Sequence, residues 1–288
     1  MLILSTAIAG LAAGAAYALV GLSTLVTYRF VAVMNFSQTA VGAFGAFTMV
    51  SLFNAGMPLA LAVVVGVLTA AAINLLLGLG IVMWFPNGSP AVKTAVTIVV
   101  FTGLIALGSK LFSSFTLRSF PAPLSVGAFE VAGVTVTWLV VVSVAVAVAL
   151  AAGAAFVLQR THFGLKLRAI ASRPTTALLQ GIPGSRIALG VWATTGAVTA
   201  IALILVAPQF PSDFVTFALL ITPAFAAALV GGFQNFWLTL AGGLGLGMLQ
   251  GALASVTALQ QFRGVLPFII ILAILLWSQR HKRFEDLA

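Results

Sequence analysis

Long apolar segments without a charged residue dominate this chain. Charge-free stretches extend over residues 30–92, 131–159, 187–212 and 214–262. Because about 20 apolar residues are enough for a helix to cross a bilayer, these stretches hold several crossings. The apolar runs are continuous, whereas strands of a membrane barrel alternate polar and apolar residues. The pattern predicts an all-α integral membrane protein, a polytopic bundle of about eight to nine transmembrane helices.

The predicted spans are the apolar segments between successive breaks. They are Leu4–Leu25, Val31–Leu52, Pro58–Met83, Ala91–Leu107, Val134–Val157, Ile187–Val206, Phe214–Val230, Trp237–Val256 and Val265–Trp277. We assign them to a single transmembrane domain over residues 1–288, with a basic loop at 160–186 and an outer loop at 110–131. No basic residue precedes the first span, so we expect a retained helix with the N-terminus outside rather than a cleaved leader.

Composition excludes an ordinary soluble domain. Hydrophobic residues make up 62% of the chain and charged residues only 6%, whereas soluble domains carry about 25% charge. The net charge of +9 comes from basic residues beside the spans, which membrane topology explains without nucleic acid. The chain has no cysteine, which excludes disulfides, thiolate metal sites and cysteine nucleophiles.

The distribution of basic residues predicts the topology. The loop from Arg160 to Arg186 contains five basic residues and no acid, so it should be cytoplasmic. Four more spans then bring the basic tail at 280–283 to the same side, and counting backwards does the same for Arg29 and residues 86–93. Lys110 and Arg118 fall outside on this count. Either a long outer loop escapes the charge rule, or a span is miscounted.

The chain lacks the groups that catalysis or ion coupling needs. Its four acidic residues fall in loops or in the tail, namely Glu130, Asp213, Glu285 and Asp286. It contains no G-x-x-x-x-G-K-[ST] phosphate loop, so any ATP is hydrolysed on another chain. A carrier driven by protons or sodium usually needs an ionisable residue in the bilayer. We therefore expect no enzyme activity and no bound cofactor or metal, and retain a secondary carrier or channel only as an alternative.

Two polar or basic segments are candidates for function. In the basic loop, a short helix is predicted from Pro174 to Gly181, with Leu178 and Leu179 on an apolar face. Such a helix suits either a groove on a partner protein or the surface of anionic lipid. The run Asn35–Gln38 must face protein or water, because unpaired polar groups in lipid are costly. It either joins helices by hydrogen bonds or lines a translocation route.

Proline and glycine add two packing predictions. Pro223 lies inside the seventh span, where a kink is expected either beside the substrate route or for packing alone. Glycines recur four residues apart at Gly10 and Gly14, and again at Gly243, Gly247 and Gly251. This spacing lets two helices approach closely, so we expect these faces to pack against other helices.

These motifs resemble those of the integral-membrane permease subunits of branched-chain amino acid ABC importers, in register along most of the chain. The run Asn35-Phe36-Ser37-Gln38 is similar to the family's N-F-A-[HQ] signature, which follows a G-L-x-x-x-x-Y-x segment, here Gly21–Arg29. Other similar segments are Arg118-Ser119-Phe120-Pro121, then Arg160, Gly164, Leu167-Arg168-Ala169, Ala177 and Gly181-Ile182, and finally Ala224-Phe225 to Gly231-Gly232 and Gly242-Gly243.

The resemblance implies an assembly and a mechanism. It implies a second permease subunit, for which we favour a heterodimer, two cytoplasmic ATP-binding subunits that hold ATP and Mg²⁺, and an extracytoplasmic solute-binding protein, all at a bacterial plasma membrane. The basic loop would be the coupling loop. Its expected contacts with the ATPase are Arg168, Ala169, Arg173, Pro174, Ala177, Leu178, Leu179, Gly181 and Ile182, and the expected substrate path includes Asn35, Phe36, Ser37, Gln38 and Pro223.

Several positions depart from the family pattern and weaken the transfer of the substrate. Thr39-Ala40 stands where relatives commonly have Gly-Glu, and Thr175 replaces an acidic residue. The other departures are Pro223 for a frequent lysine, Gln234–Leu238 for a G-S-x-x-G stretch, and Gln250 for a common glutamate. The leading substrate is a branched-chain or related amino acid, and the alternatives are urea, short amides and small carboxylates. A structural membrane subunit with no route of its own also remains open.

Overall fold

A computed structural model describes residues 2–112, 120–121, 127–131, 134–211 and 213–285, with the backbone alone at 174–175 and 278–285. Arg118, Ser119 and Asp286 lie outside the described residues. So do the side chains of Pro174 and Thr175 and those of the basic tail. The predictions made on these groups are therefore left as predictions.

The described chain is a bundle of helices with one short hairpin. The helices are α1 (Leu2–Val31), α2 (Gln38–Asn54), α3 (Leu59–Trp84), α4 (Pro90–Leu111), α5 (Trp138–Arg160), α6 (His162–Ser172), α7 (Pro174–Leu179), α8 (Gly184–Val206), α9 (Phe214–Leu219), α10 (Ile221–Val230), α11 (Phe236–Ala254) and α12 (Leu266–Glu285). The strands are β1 (Ala128–Val131) and β2 (Val134–Thr137), paired antiparallel.

The helices agree with the predicted all-α polytopic fold. Within the described residues, six helical segments are long and apolar enough to cross a membrane: α1, α3, α4, α5, α8 with its 3₁₀ extension, and α11. The three other predicted spans correspond to shorter helices, namely α2, the α9–α10 pair and the apolar part of α12. The predicted fold class is confirmed.

The start of the second predicted span is wrong. The prediction placed a helix from Val31, but α1 continues to Val31 and α2 begins only at Gln38. Between them the chain is non-helical, and Ala32 has a φ of +56°. Hydropathy missed this break because residues 30–34, where α1 ends, are all apolar and the break depends on contacts with other helices.

The seventh and fifth predicted spans also need correction. The seventh is two helices, interrupted at Leu220, three residues before Pro223. Proline has no backbone N–H for the carbonyl four residues earlier, which explains an interruption at this point. The fifth span starts at Trp138 rather than Val134, because residues 134–137 pair with β1 as a strand.

The helices alternate between two ends of the bundle. At one end, Arg29 Nη1 donates a hydrogen bond to the carbonyl oxygen of Gln234 at 2.8 Å, which joins the end of α1 to the start of α11. The end of α5 and Arg168 of α6 line a cavity together with these residues. The start of α4 also lies at this end, where Thr94 accepts a hydrogen bond from the backbone N–H of Met34. We call this the basic end. The end that carries the hairpin and residues 255–265 is the opposite end.

The glycine faces predicted from the sequence pack against each other. A Cβ atom on Gly10 would lie 2.2 Å from the carbonyl oxygen of Gly247, and one on Gly14 would lie 2.8 Å from that of Gly243. A Cβ on Gly251 would lie 2.2 Å from the carbonyl oxygen of Thr6. Helices α1 and α11 therefore run antiparallel at backbone contact, a spacing that only glycine permits.

Candidate functional site

A network of buried amides and hydroxyls occupies the middle of the bundle. We call it the amide network: Asn35, Gln38, Asn74, Thr195 and Thr199, all at most 3% exposed. Asn35 Nδ2 donates to Gln38 Oε1 at 2.7 Å and to Asn74 Oδ1 at 3.1 Å. Gln38 Nε2 donates to the Thr195 carbonyl oxygen at 2.8 Å and to Thr199 Oγ1 at 2.6 Å. The network thus joins the break after α1 to α2, α3 and α8.

The break itself is held by threonines of α4. The backbone N–H of Met34 donates to Thr94 Oγ1 at 3.2 Å, and that of Phe36 donates to Thr97 Oγ1 at 3.1 Å. Thr97 Oγ1 lies 3.0 Å from the Met34 carbonyl oxygen, to which it can donate in turn. Non-helical backbone at membrane depth survives only where protein or water satisfies it. Here side chains of another helix supply the partners.

The run Asn35–Gln38 therefore acts as an interhelical clamp in this conformation. Asn35 Oδ1 accepts hydrogen bonds from the backbone N–H and the hydroxyl of Ser37, at 3.1 and 2.6 Å. Asn35, Ser37 and Gln38 are all fully buried, and their donors are used within the protein. This arrangement corresponds to the interhelical alternative of the two that the sequence left open. A role in the translocation route requires another conformation that uncovers these groups.

Replacing Asn74 with leucine is expected to lower the free energy of unfolding by about 2–3 kcal/mol. The change keeps the shape of the side chain but removes the donor to the Trp192 carbonyl oxygen, 2.7 Å away, and the acceptor for Asn35. Thermal unfolding of the purified protein in mild detergent measures the effect. Thr69→Val on the same helix is the control, because Thr69 is only half-buried and its hydroxyl donates to the Val65 carbonyl oxygen of its own helix. Equal stability of both variants would contradict a structural clamp.

The largest cavity that we describe lies near the opposite end and measures about 630 Å³. It lies between α1, α9–α10, α11 and the start of α12, and we call it the opposite-end cavity. Tyr17 donates to Gln250 Oε1 at 2.8 Å, and Gln250 Nε2 donates to the backbone carbonyl of Arg263 at 3.1 Å. Pro223 and Arg263 also line this cavity. It combines apolar walls with one positive charge.

The carboxylate of Asp213 does not neutralise the positive charge of Arg263 in this cavity. This carboxylate caps α9, accepting hydrogen bonds from the backbone N–H of Val215 at 3.2 Å and from the N–H and hydroxyl of Thr216. Burial alone raises the pKa of Asp213, but the hydrogen bonds from Thr216 and Val215 outweigh it, so the pKa lies below its usual value. Within the described part of the chain, Arg263 makes no ion pair with an acidic side chain.

The predicted substrate-path residues are only partly brought together. The ring of Phe36 packs against that of Phe225, with centroids 4.7 Å apart, which links the break after α1 to α10. Pro223 lies on α10 but lines the opposite-end cavity, which Asn35, Ser37 and Gln38 do not reach. The predicted path is therefore split between a buried network and a cavity.

The basic loop contains two helices where the sequence predicted one. The predicted helix is α7, which ends at Leu179, and Gly181 follows with a φ of +75°. Helix α6 precedes it, with Thr161 Oγ1 accepting the N–H of Gly164 at 3.1 Å as an N-terminal cap. The periodicity of α6 was missed because its apolar positions are interspersed with basic residues.

The predicted coupling residues divide into an exposed and an inward-facing group. Leu178 is 68% exposed and Leu179 is 84% exposed, whereas Ala177 is buried and Ile182 packs against the core. Arg173 is exposed at the junction of α6 and α7. Arg168 instead faces a cavity beside Arg29, and Ala169 is half-buried. Among the predicted coupling residues whose side chains the structure describes, only the two leucines are large, apolar and exposed.

The sequence matches a protein family described as "Branched-chain amino acid transport system / permease component" over residues 6–275. The chain belongs to this family. This chain is 29% identical, over 282 aligned residues, to the probable branched-chain amino acid transport permease protein LivH of Methanocaldococcus jannaschii. That alignment covers 90% of the permease and 85% of its relative. No solved structure matches the sequence significantly.

Family membership confirms the resemblance found in the motifs. The permease is a multi-pass membrane protein and a transport subunit of an ABC system rather than an enzyme. Two of the residues that depart from the family pattern, Thr39 and Asn235, make hydrogen bonds within the bundle. Thr39 Oγ1 donates to the Ala218 carbonyl oxygen at 2.6 Å, and Asn235 caps α11 by accepting the N–H groups of Trp237 and Leu238.

Sequence reasoning missed several residues of the permease that complete these sites. Asn74, Thr195 and Thr199 close the amide network, and Tyr17 and Arg263 belong to the opposite-end cavity. Asn74 carried a usable signal, because an isolated amide inside a long apolar segment must find a partner. The threonines carried none, since a threonine in a membrane helix usually bonds to its own helix.

Proposed function

We propose that this chain is the membrane-spanning permease subunit of an ATP-driven importer for branched-chain or related amino acids. The family and the relative named above support the class of transporter and the leading substrate. In this proposal the permease binds no cofactor, and ATP and Mg²⁺ bind to partner subunits. An extracytoplasmic binding protein delivers the solute.

The observation that carries the proposal is the exposed pair Leu178 and Leu179 on α7. Two leucines in water beside basic residues are a surface that favours burial, because hiding them removes apolar area from solvent. The helix projects from the basic end, where Arg160, Lys166 and Arg173 lie. We infer that an ATPase subunit receives these leucines in a groove and moves the helix when it closes.

The same proposal includes orientation and partners. The basic end faces the cytoplasm of a bacterial plasma membrane, in keeping with the positive-inside rule, and the opposite end faces outwards. Two ATPase subunits bind the basic end of a permease pair. We favour two unlike permease subunits, as the family resemblance implies.

We further propose that the opposite-end cavity is the first compartment of the solute route. Its volume of about 630 Å³ lies in the range of small-molecule sites. Arg263 supplies a cation for a carboxylate, and Leu219, Leu220 and Phe268 supply apolar contacts for a side chain. Gln250 is neutral where relatives commonly carry glutamate, so it leaves the charge of Arg263 available to a ligand. This favours a carboxylate-bearing solute over urea or an amide.

Replacing Arg263 with glutamine is expected to raise the KM for leucine uptake about tenfold, the effect of losing one charge-assisted hydrogen bond. Gln250→Glu should act in the same direction, because its carboxylate competes with the solute for Arg263. The measurement is the concentration dependence of radiolabelled leucine uptake by proteoliposomes that contain the complete importer. Lys110→Gln removes a charge at the same end but outside the cavity, and it should leave KM unchanged. An unaltered KM in Arg263→Gln would refute this route.

Co-purification in mild detergent tests the proposed class of transporter. We expect two nucleotide-binding chains to accompany the permease, together with a second permease chain. Leucine uptake by the purified permease alone under a proton or sodium gradient would instead support the secondary-carrier alternative. Absence of any ATP-hydrolysing companion would overturn the proposal.

A further inference from the structure

A second cavity, of about 520 Å³, opens at the basic end between α1, α5, α6 and the start of α11. We call it the basic-end cavity. Arg29 and Arg168 line it from two different helices, and Leu158, Phe236 and Trp237 add apolar surface. The hydrogen bond from Arg29 to Gln234 joins α1 to α11, but the fold does not account for a second guanidinium, that of Arg168, in the same cavity.

The two arginines are placed so that they can bind a ligand. Arg29 Nη1 donates to the Gln234 carbonyl oxygen, and the guanidinium lies 5.6 Å from the centre of the Phe30 ring. These contacts fix the group and leave its other N–H donors available. Arg168 makes no side-chain hydrogen bond within the described residues. A guanidinium presents paired donors that match the oxygens of a phosphate group.

No described acidic side chain balances these charges. The described carboxylates are those of Glu130 and Asp213, and both belong to the opposite end. Two cations that share a cavity raise each other's electrostatic energy, so the cavity attracts an anion. The ligand must therefore be negatively charged.

The position of the cavity points to lipid as the source of that anion. It lies at the end of the membrane-spanning helices, where we expect the lipid headgroups, and Trp237 beside it is 52% exposed. Tryptophan is enriched at this level, and basic cavities between membrane helices are known to hold anionic headgroups. The exposed ring of Trp237 offers a contact for the glycerol part of a lipid, which a free phosphate would not use, and the buried side chains of Leu158 and Phe236 lie behind it.

We propose that the basic-end cavity binds the headgroup of an anionic phospholipid, with Arg29 and Arg168 on the phosphate. The bound lipid joins α6 to α1 and α11. Since α7 follows α6 directly, the lipid steadies the segment that presents Leu178 and Leu179. This binding does not depend on the substrate or on ATP.

Native mass spectrometry of the purified permease complex tests the proposal. The protein is exchanged from nanodiscs that contain equal amounts of phosphatidylglycerol and phosphatidylcholine, and retained lipids are counted. We expect wild type to retain phosphatidylglycerol preferentially. Arg29→Gln and Arg168→Gln should each weaken its retention about tenfold. Arg173→Gln is the matched control, because it removes the same charge at the same end but outside the cavity.

Four outcomes count against the proposal. They are equal retention of both lipids by wild type, an equal loss in Arg173→Gln, unchanged retention in the Arg29→Gln/Arg168→Gln double variant, and displacement of the lipid by millimolar inorganic phosphate. The last would identify free phosphate as the ligand. Thermal unfolding in detergent without added lipid checks that each variant is folded. If the double variant unfolds, Arg168→Lys replaces it, and this variant should keep part of the retention because it keeps the charge.

Discussion

Glutamate in place of Leu179 is expected to reduce ATP-driven uptake about 100-fold while the permease remains folded in the membrane. Leu179 is 84% exposed, so the fold does not depend on its contacts. In the proposed complex the same side chain is buried in a groove of the ATPase. Burial of an unpaired carboxylate there costs several kcal/mol, and about 2.8 kcal/mol is already a factor of 100 in association. Radiolabelled leucine uptake and ATP hydrolysis by the reconstituted importer measure the effect together.

The pair of activities distinguishes uncoupling from simple loss of protein. We expect ATP hydrolysis to continue at its basal rate and to lose its stimulation by solute. Leu259→Glu is the matched control, since Leu259 is also exposed but lies at the opposite end. Leu179→Ala should give a smaller loss, because it removes apolar area without adding a charge. Normal uptake by the Leu179→Glu variant would refute the docking of α7.

Alanine at Gly247 is expected to destabilise the permease by about 3 kcal/mol, at the upper end for overpacking. A methyl group there would lie 2.4 Å from Cα and N of Gly14 and 2.5 Å from the carbonyl oxygen of Gly10. These atoms all belong to the backbone, so no change of side-chain rotamer can relieve the clash. Helices α1 and α11 must therefore move apart along their whole contact. Thermal unfolding in detergent and the yield of monodisperse protein measure the result.

The same helix offers a control of opposite sign. A Cβ atom on Gly245 would meet nothing within 4 Å, so Gly245→Ala adds no clash. Alanine also favours a helix over glycine by about 1 kcal/mol, so this variant should be as stable as wild type or more stable. If both variants were destabilised to a similar degree, the close contact between α11 and α1 would not be the reason that α11 needs glycine.

Apolar pattern predicted the helical architecture because crossing a bilayer imposes a length and a polarity on each segment. The helices α3, α4 and α8 lie within a few residues of their predicted bounds. The short helix at Pro174 was also predicted, since proline and glycine act on the backbone locally. Spacing alone predicted the close glycine faces, although it did not say which helices would meet.

Interruptions of the helices were harder to predict. The break at residues 32–37 is stabilised by Thr94 and Thr97, which lie about 60 positions further along the chain. The pairing of β1 (Ala128–Val131) with β2 (Val134–Thr137) takes four residues from an apolar segment that also suited a helix. In both cases residues outside the segment supply the hydrogen bonds, so the apolar pattern of the segment itself does not predict them.

The sequence by itself indicated that this chain spans a membrane, that it belongs to a permease family and that it works as a transport subunit. These properties depend on composition and short motifs, which act without reference to neighbours. Only the tertiary structure decided that Asn35 and Gln38 clamp three helices, that Arg263 stands in one cavity, and that Arg29 and Arg168 share another. The hydrogen-bond partners of a polar side chain in a helical bundle depend on which helices pack beside it, and these are known only from the tertiary structure.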